Sequence, residues 1–277
     1  MMKEVMIIGK LLNPKLDYVF KRIFGYQGNE KITKSFIEAI TKEKIYDIKL
    51  DCNPITEKDL YDDKLSILDI KAKLNNNINC NIEMQIVDRK NIEKRILYYW
   101  SKMYTTTIKV GEDFDKLEKG IVILISDYNL DKLSELKKYI TKWNIREEET
   151  PKVILTDMLE IYIIELKKVK NDLSNNILNA WLKFINNPEE RVDMTDSEEL
   201  IEARRILEDI SSTERERYLA EQREKWILDK KAIKAAGYDQ GLKEGLKQVA
   251  KKLKEKDVDV NFIVEATGLT KEEIENL

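Results

Sequence analysis

Apolar and polar side chains alternate along two neighbouring stretches of the chain. Leu68, Ile70, Ala72 and Leu74 share one parity, and Ile78, Cys80, Ile82, Met84 and Ile86 share one in the next. A period of two puts successive side chains on opposite faces, so each stretch reads as a half-buried strand. Asn75, Asn76 and Asn77 lie between them. Asparagine tolerates positive φ and hydrogen-bonds locally, so the three make a hairpin loop. With the loop symmetric about Asn76, Leu74 faces Ile78, Ala72 faces Cys80 and Ile70 faces Ile82. The apolar pairs then gather on one face.

Around this hairpin the pattern changes to the helical period. Residues 14–24 open with Pro14, favourable in a first turn, and place Leu16, Val19, Phe20 and Ile23 on one stripe. Asp17 and Lys21 stand four apart, at ion-pair spacing. Residues 30–41 carry Ile32, Phe36 and Ile40 in a second helix, residues 45–50 make a short strand, and residues 51–63 form a loop with Pro54. After the hairpin, residues 91–107 predict a strong helix with Ile92, Ile96, Tyr99 and Met103 inward and Arg95, Tyr98 and Lys102 on a flanking side. Residues 120–126 are continuously apolar from Ile121 to Ile125, the mark of a strand covered on both faces. A helix over 130–139 and a β-branched strand over 159–166 follow.

Beyond Asn171 the chain reads as helical, with segments at 174–185, 196–210 and 214–236. The break Asn186-Asn187-Pro188 divides an α/β domain, 1–186, from a helical C-terminal region, 187–277. Gly237, Gly241 and Gly245 recur every four residues. At about 1 kcal/mol each in a helix, they mark either a hinge or a surface for close helix approach, and self-association through this region is the expectation. The last segment holds two short helices about Gly268, the second opened by Thr270 with Glu273 three residues on, a capping box. Either a helix-turn-helix or a packing cap has this form.

The polar face of the hairpin carries the candidate chemistry. The same register puts Asp69 opposite Glu83, with Gln85 two residues on. Facing Cβ atoms lie roughly 4.5–5.5 Å apart, and at an effective dielectric of about 20 two carboxylates there repel by about 3 kcal/mol. A divalent hard cation, or a shared proton, offsets such a pair. The plainer alternative is two solvated carboxylates on a strand.

Composition narrows the classes. The 277 residues include 36% charged and 42% hydrophobic side chains, enough for a globular core. Histidine is absent, which excludes Ser-His-Asp and Cys-His triads and any histidine base. Hydrolysis would rest on carboxylates and metal. Residues 1–120 hold 22 basic and 19 acidic side chains against 27 and 33 in the remainder, a balance that permits nucleic acid without demanding it. Cys80 falls on the apolar strand face and Cys52 has no evident mate, so no disulfide framework or zinc site is expected. No apolar run reaches the length of a signal peptide or membrane span, and a soluble, cytoplasmic protein without membrane contact is expected.

Leu68-Asp69-Ile70 followed by Asn81-Ile82-Glu83-Met84-Gln85 resembles the PD-(D/E)XK nucleases, and more narrowly their transposase-like branch, the recombination-promoting nucleases, in which Gln stands for the usual Lys. Asn13 to Gly25 is similar to that family's opening helix, Arg95, Tyr98 and Tyr99 to its helix after the Glu-x-Gln strand, and Thr267 to Ile274 to its usual ending. The resemblance implies a restriction-endonuclease-like α/β core, a mixed sheet flanked by helices, with an all-helical C-terminal region. It implies a metal-dependent DNA endonuclease linked to transposition or recombination. Asp69 and Glu83 would hold Mg²⁺ or Mn²⁺, with Asp17 reaching the metal or simply paired with Lys21. Gln85 would position water or phosphate, and Lys71 or Lys64 would supply the charge that glutamine lacks. Arg95 and Lys102 are either a solvated face or, with Lys64, contacts to DNA. The rival expectation is a DNA-binding or oligomerising protein that keeps the fold without catalysis.

Overall fold

The computed structural model describes residues 10–51, 69–88, 90–169, 176–190 and 197–277. Among these, six strands form one sheet: β1 (Ile48–Asp51), β2 (Ile70–Leu74), β3 (Ile78–Gln85), β4 (Lys119–Ser126), β5 (Ile140–Arg146) and β6 (Ile154–Glu165), in the order β1-β2-β3-β4-β6-β5. β3, β4 and β6 run parallel, while β1 and β5 close the two edges antiparallel. The continuous apolar run is β4, paired on both sides and buried from Gly120 to Ser126.

Three helices stand against this sheet, α1 (Asp17–Phe24), α2 (Glu30–Thr41) and α3 (Ile92–Thr105), and α4 (Ile177–Asn186) packs on α2. The apolar stripe of α1 buries Val19, Phe20, Ile23 and Phe24. Its rings meet those of α2 and α4, where Trp181, fully buried, lies 5.5 Å from Phe24 and 5.7 Å from Phe36. On the other side of the sheet, α3 sets Ile92 and Ile96 against Val122, Leu124, Ile161 and Ile163. Gly120 is required beneath α3, since a Cβ there would lie 2.5 Å from Trp100 Nε1, which donates to the Gly120 carbonyl at 3.1 Å. The order α2-β1-β2-β3-α3-β4 is the helix, three strands, helix, strand that the sequence predicts.

Helix α5 (Glu198–Ser212) follows, capped by Ser197, and α6 (Glu214–Lys254) is a single helix of 41 residues. It runs through Gly237, Gly241 and Gly245 without a break, so the glycines are no hinge in this structure, and each faces open space. The chain divides into a unit ending at Glu224 and a second, Lys225–Leu277. Inside the second, α7 (Val260–Thr267) and α8 (Lys271–Glu275) enclose Ala250, Ile263, Leu269 and Ile274. The capping box at Thr270 is formed, and Gly268 takes the left-handed conformation at φ 69°.

The helix expected over 130–139 is absent. Only Asp131–Leu133 makes a 3-10 turn, and the chain then enters β5, a strand outside the sequence-based expectation. Tertiary hydrogen bonds hold this segment instead: Glu165 accepts from the Leu130 amide at 2.8 Å, and Lys168 Nζ donates to the carbonyls of Leu133 and Leu136 at 2.7 and 2.8 Å. No described helix is long and apolar enough to cross a membrane.

Candidate nuclease site

The loop asparagines account for the hairpin's register. Asn75 and Asn76 adopt φ of 49° and 64°, the left-handed pair that a tight hairpin turn needs. Asn75 Oδ1 also accepts from the Tyr46 and Asp47 amides, tying β1 to the turn. Leu74 pairs with Ile78, Ala72 with Cys80 and Ile70 with Ile82, the pairing the alternation predicts. Burial pushes the Cys80 thiol up to about 12, as suits a core side chain. Asp69 stands just before β2, and extending the ladder one step sets it across from Glu83.

The face bearing Asp69, Asn81, Glu83 and Gln85 is not solvated. These residues are 8, 6, 1 and 8% exposed. The reason is tertiary: β4 pairs alongside β3, so Leu124 flanks Glu83, and α3 covers the same face. A desolvated carboxylate requires a partner, and α3 brings one. Arg95 Nη2 donates to Glu83 Oε1 at 2.5 Å, and the Gln85 amide donates to that same oxygen. The Arg95 guanidinium also lies 5.1 Å from the Tyr99 ring centroid, one turn further along α3. Its Nε is buried and has no hydrogen-bond partner among the described residues. Spacing alone leaves Arg95 either solvated or facing a phosphate; its observed partner is the glutamate.

The other singled-out residues are dispersed. Lys71 shares the site face, paired with Asn81 across the ladder, and is exposed. Lys102 is exposed on α3, and Lys64 lies outside the described residues. Asp17 does not pair with Lys21. Its carboxylate receives Arg223 of α6, with Nη2 to Oδ2 at 2.5 Å and Nε to Oδ1 at 2.9 Å. Lys21 is instead 2% exposed, its stem beside Gly25 and Ile70 at the start of β2.

Sequence reasoning missed three groups here. Arg223 lies 206 residues from Asp17. Lys15 Nζ reaches Asp127 at 3.1 Å, and Lys167 reaches it at 3.4 Å, where the Asp127 amide donates to the Gln85 carbonyl. Lys21 is the third, a lysine buried where an exposed pair was expected. The first two are contacts between residues far apart in sequence, for which the sequence carries no local signal.

Two buried carboxylates facing across a hairpin are hard oxygen donors of the kind Mg²⁺ or Mn²⁺ takes, with water completing the shell. The donor chemistry of Asp69 and Glu83 fits such an ion, although no group of three or more His, Cys, Asp or Glu is assembled for a metal among the described residues. A mixed sheet, with an Asp and a Glu-x-Gln on one face of its hairpin and a helix laid over them, is the PD-(D/E)XK type of α/β fold. The PD-(D/E)XK nuclease family transposase pattern matches residues 14–237, and the chain belongs to that family. No curated protein and no solved structure matches it. PD-(D/E)XK nucleases generally use divalent metals and act on DNA.

Proposed function

We propose that this protein is a metal-dependent DNA endonuclease with a transposase-like role in recombination. The observation that carries the reading is the buried group Asp69, Glu83 and Gln85 on one face of the hairpin, within a chain of this nuclease family. In this reading Asp69 and Glu83 hold Mg²⁺ or Mn²⁺, and Asp17 joins them only if Arg223 gives it up. When bound, the metal lowers the pKa of its water and neutralises charge on the scissile phosphate. Gln85, anchored on Glu83, orients the water or phosphate. Lys71 and Lys102, both exposed, meet the DNA backbone, as does Lys64 by its place upstream of Asp69. Self-association belongs to the same reading: α6 exposes Tyr238, Leu242 and Val249 along the glycine-bearing segment, so Leu242→Lys lowers the mass seen by light scattering if a second copy packs there.

The test is plasmid cleavage with and without Mg²⁺ or Mn²⁺. Wild type nicks or linearises only with metal, and Asp69→Asn abolishes cutting. Mg²⁺ raises the wild-type melting temperature, because a ligand bound only by the folded state stabilises it, and does so far less in Asp69→Asn. Equal shifts in both proteins would remove the metal site. A second reading, a DNA binder without catalysis, draws support from the occupation of Glu83 by Arg95 and Gln85. It predicts retarded plasmid and no cutting with either metal.

A further inference from the structure

Glutamine at 85 brings an amide to the site where a lysine would bring a charge. Of the lysines that the strand pattern offered in its place, Lys71 is exposed and opposes Asn81 rather than Glu83. The buried glutamate nonetheless has a cation, and it comes from the neighbouring helix. Arg95 Nη2 and Gln85 Nε2 converge on one oxygen, Glu83 Oε1. The end of the side chain at 85 and the guanidinium are therefore neighbours, and an ammonium carried by residue 85 would occupy nearly the same place. Arginine stays protonated at every working pH, and Arg95 keeps a buried Nε with no hydrogen-bond partner among the described residues. It is half-buried and backed by Tyr99, so it is held without being sealed in.

We propose that Arg95 carries, from α3, the positive charge that Gln85 lacks, and that it shares Glu83 with the metal: it neutralises the carboxylate when no cation is bound and weakens the hold on one that arrives. This deepens the nuclease reading and rests on it for the metal, while the charge role stands on geometry alone. Arg95 acts through Glu83 and is a positioning residue. The site would then contain the parts of the usual constellation with its cation moved from a strand to a helix.

The test uses full-length wild type, Arg95→Gln, Gln85→Lys and the double variant Arg95→Gln with Gln85→Lys, purified free of metal. Without metal, Arg95→Gln melts several degrees lower, and the double variant recovers at least half of that loss. Mn²⁺ affinity, read by calorimetry or by the loss of the free-ion electron paramagnetic resonance signal, rises roughly tenfold in Arg95→Gln because a competing charge has left. It returns towards wild type in the double variant. A merely structural arginine predicts the opposite, since a displaced Glu83 would bind Mn²⁺ no better. Failure of Gln85→Lys to restore the melting temperature, or Mn²⁺ affinity unchanged or weaker in Arg95→Gln, overturns the proposal. Should Arg95→Gln not fold, Gln85→Lys alone decides: a second cation at Glu83 weakens Mn²⁺ roughly tenfold, and unchanged affinity rejects the idea. Wild type that binds no Mn²⁺ at all would count against the nuclease reading, leaving the melting-temperature arm to judge the charge role.

Discussion

Two buried glutamates stand on opposite faces of the same sheet, and they are satisfied in different ways. Glu160 of β6, beside Ile121, receives Lys119 and Lys142 on Oε1, each at 3.0 Å, and the Tyr162 hydroxyl on Oε2 at 2.8 Å. Lys119 also approaches Glu43 at 3.5 Å. Glu83, beside Leu124 towards the other end of the strands, receives Arg95 and the Gln85 amide on one oxygen. The cations at Glu160 come from β4 and β5, so the ladder fixes their backbone positions beside the carboxylate. Arg95, which reaches Glu83, comes from a helix, on a side chain 21% exposed. Burial of a charge therefore does not by itself mark a functional site. A network closed by strands is a structural device, whereas a carboxylate whose partner reaches over from a helix can exchange that partner.

The largest expected effect separates the two in stability. Glu160→Gln leaves two lysines facing each other without their anion and costs about 3 kcal/mol, discounted because Lys142 is part-exposed. Glu83→Gln costs less, since Arg95, part-exposed, can turn to solvent. Urea denaturation of both variants checks this, and equal losses would erase the distinction.

Next comes Gly120→Ala, which forces Trp100 off the Gly120 carbonyl and lifts α3. A loss of about 1–3 kcal/mol is expected, together with tighter Mn²⁺ binding, because α3 carries Arg95 away from Glu83. Chemical denaturation and metal titration of the same sample would tell. Full stability would mean that the helix absorbs the methyl group by a rotamer change.

The pH dependence sharpens the contrast further. Burial pushes the Glu160 carboxyl up, but hydrogen bonds from Lys119, Lys142 and Tyr162 outweigh it and hold the group below its ordinary 4.5. A lowered folded-state pKa contributes stability that is present above the ordinary value and is lost as pH falls through the folded one. Acid destabilisation should thus begin below about pH 4.5, and the slope should flatten in Glu160→Gln. Burial pulls Lys119 down, yet Glu160 and Glu43 raise it on balance. Its contribution is present below the ordinary 10.5 and lost as pH rises through the higher folded value. Melting temperatures across both limbs test the signs.

The smallest effect concerns Lys102. Lys102→Ala should leave stability unchanged and lower the salt dependence of DNA binding by about one contact. A fluorescence titration at several salt concentrations that gave the wild-type slope would place the residue off the DNA path.

Local pattern carried much of the fold. Alternation and three asparagines specify the hairpin and its register, because strand period and turn chemistry are properties of neighbours in sequence. The unbroken run that became β4, the stripe of α2 and the capping box at Thr270 are legible for the same reason, while in α3 Trp100 packs inward with Ile92, Ile96 and Met103 where the pattern predicts Tyr99. Residues 130–139 misled because Leu130 and Leu133 have helical spacing and are buried, but Glu165 and Lys168 claim their backbone groups. β5 itself alternates Trp143 and Ile145 with Lys142, Asn144 and Arg146, a strand pattern that the helical spacing just before it overshadows, and its ladder comes from β6.

Sequence by itself set Asp69 and Glu83 across a hairpin and required something to neutralise them, since facing like charges repel wherever they stand. What neutralises them was decided only by tertiary structure. Covering that face with α3 removed the water, which turned a polar strand edge into a buried site and made Arg95 its counter-charge. The same is true of Asp17, whose partner arrives on α6 from 206 residues away. Periodicity reports which way a side chain points; only the packing of distant elements determines what it meets there.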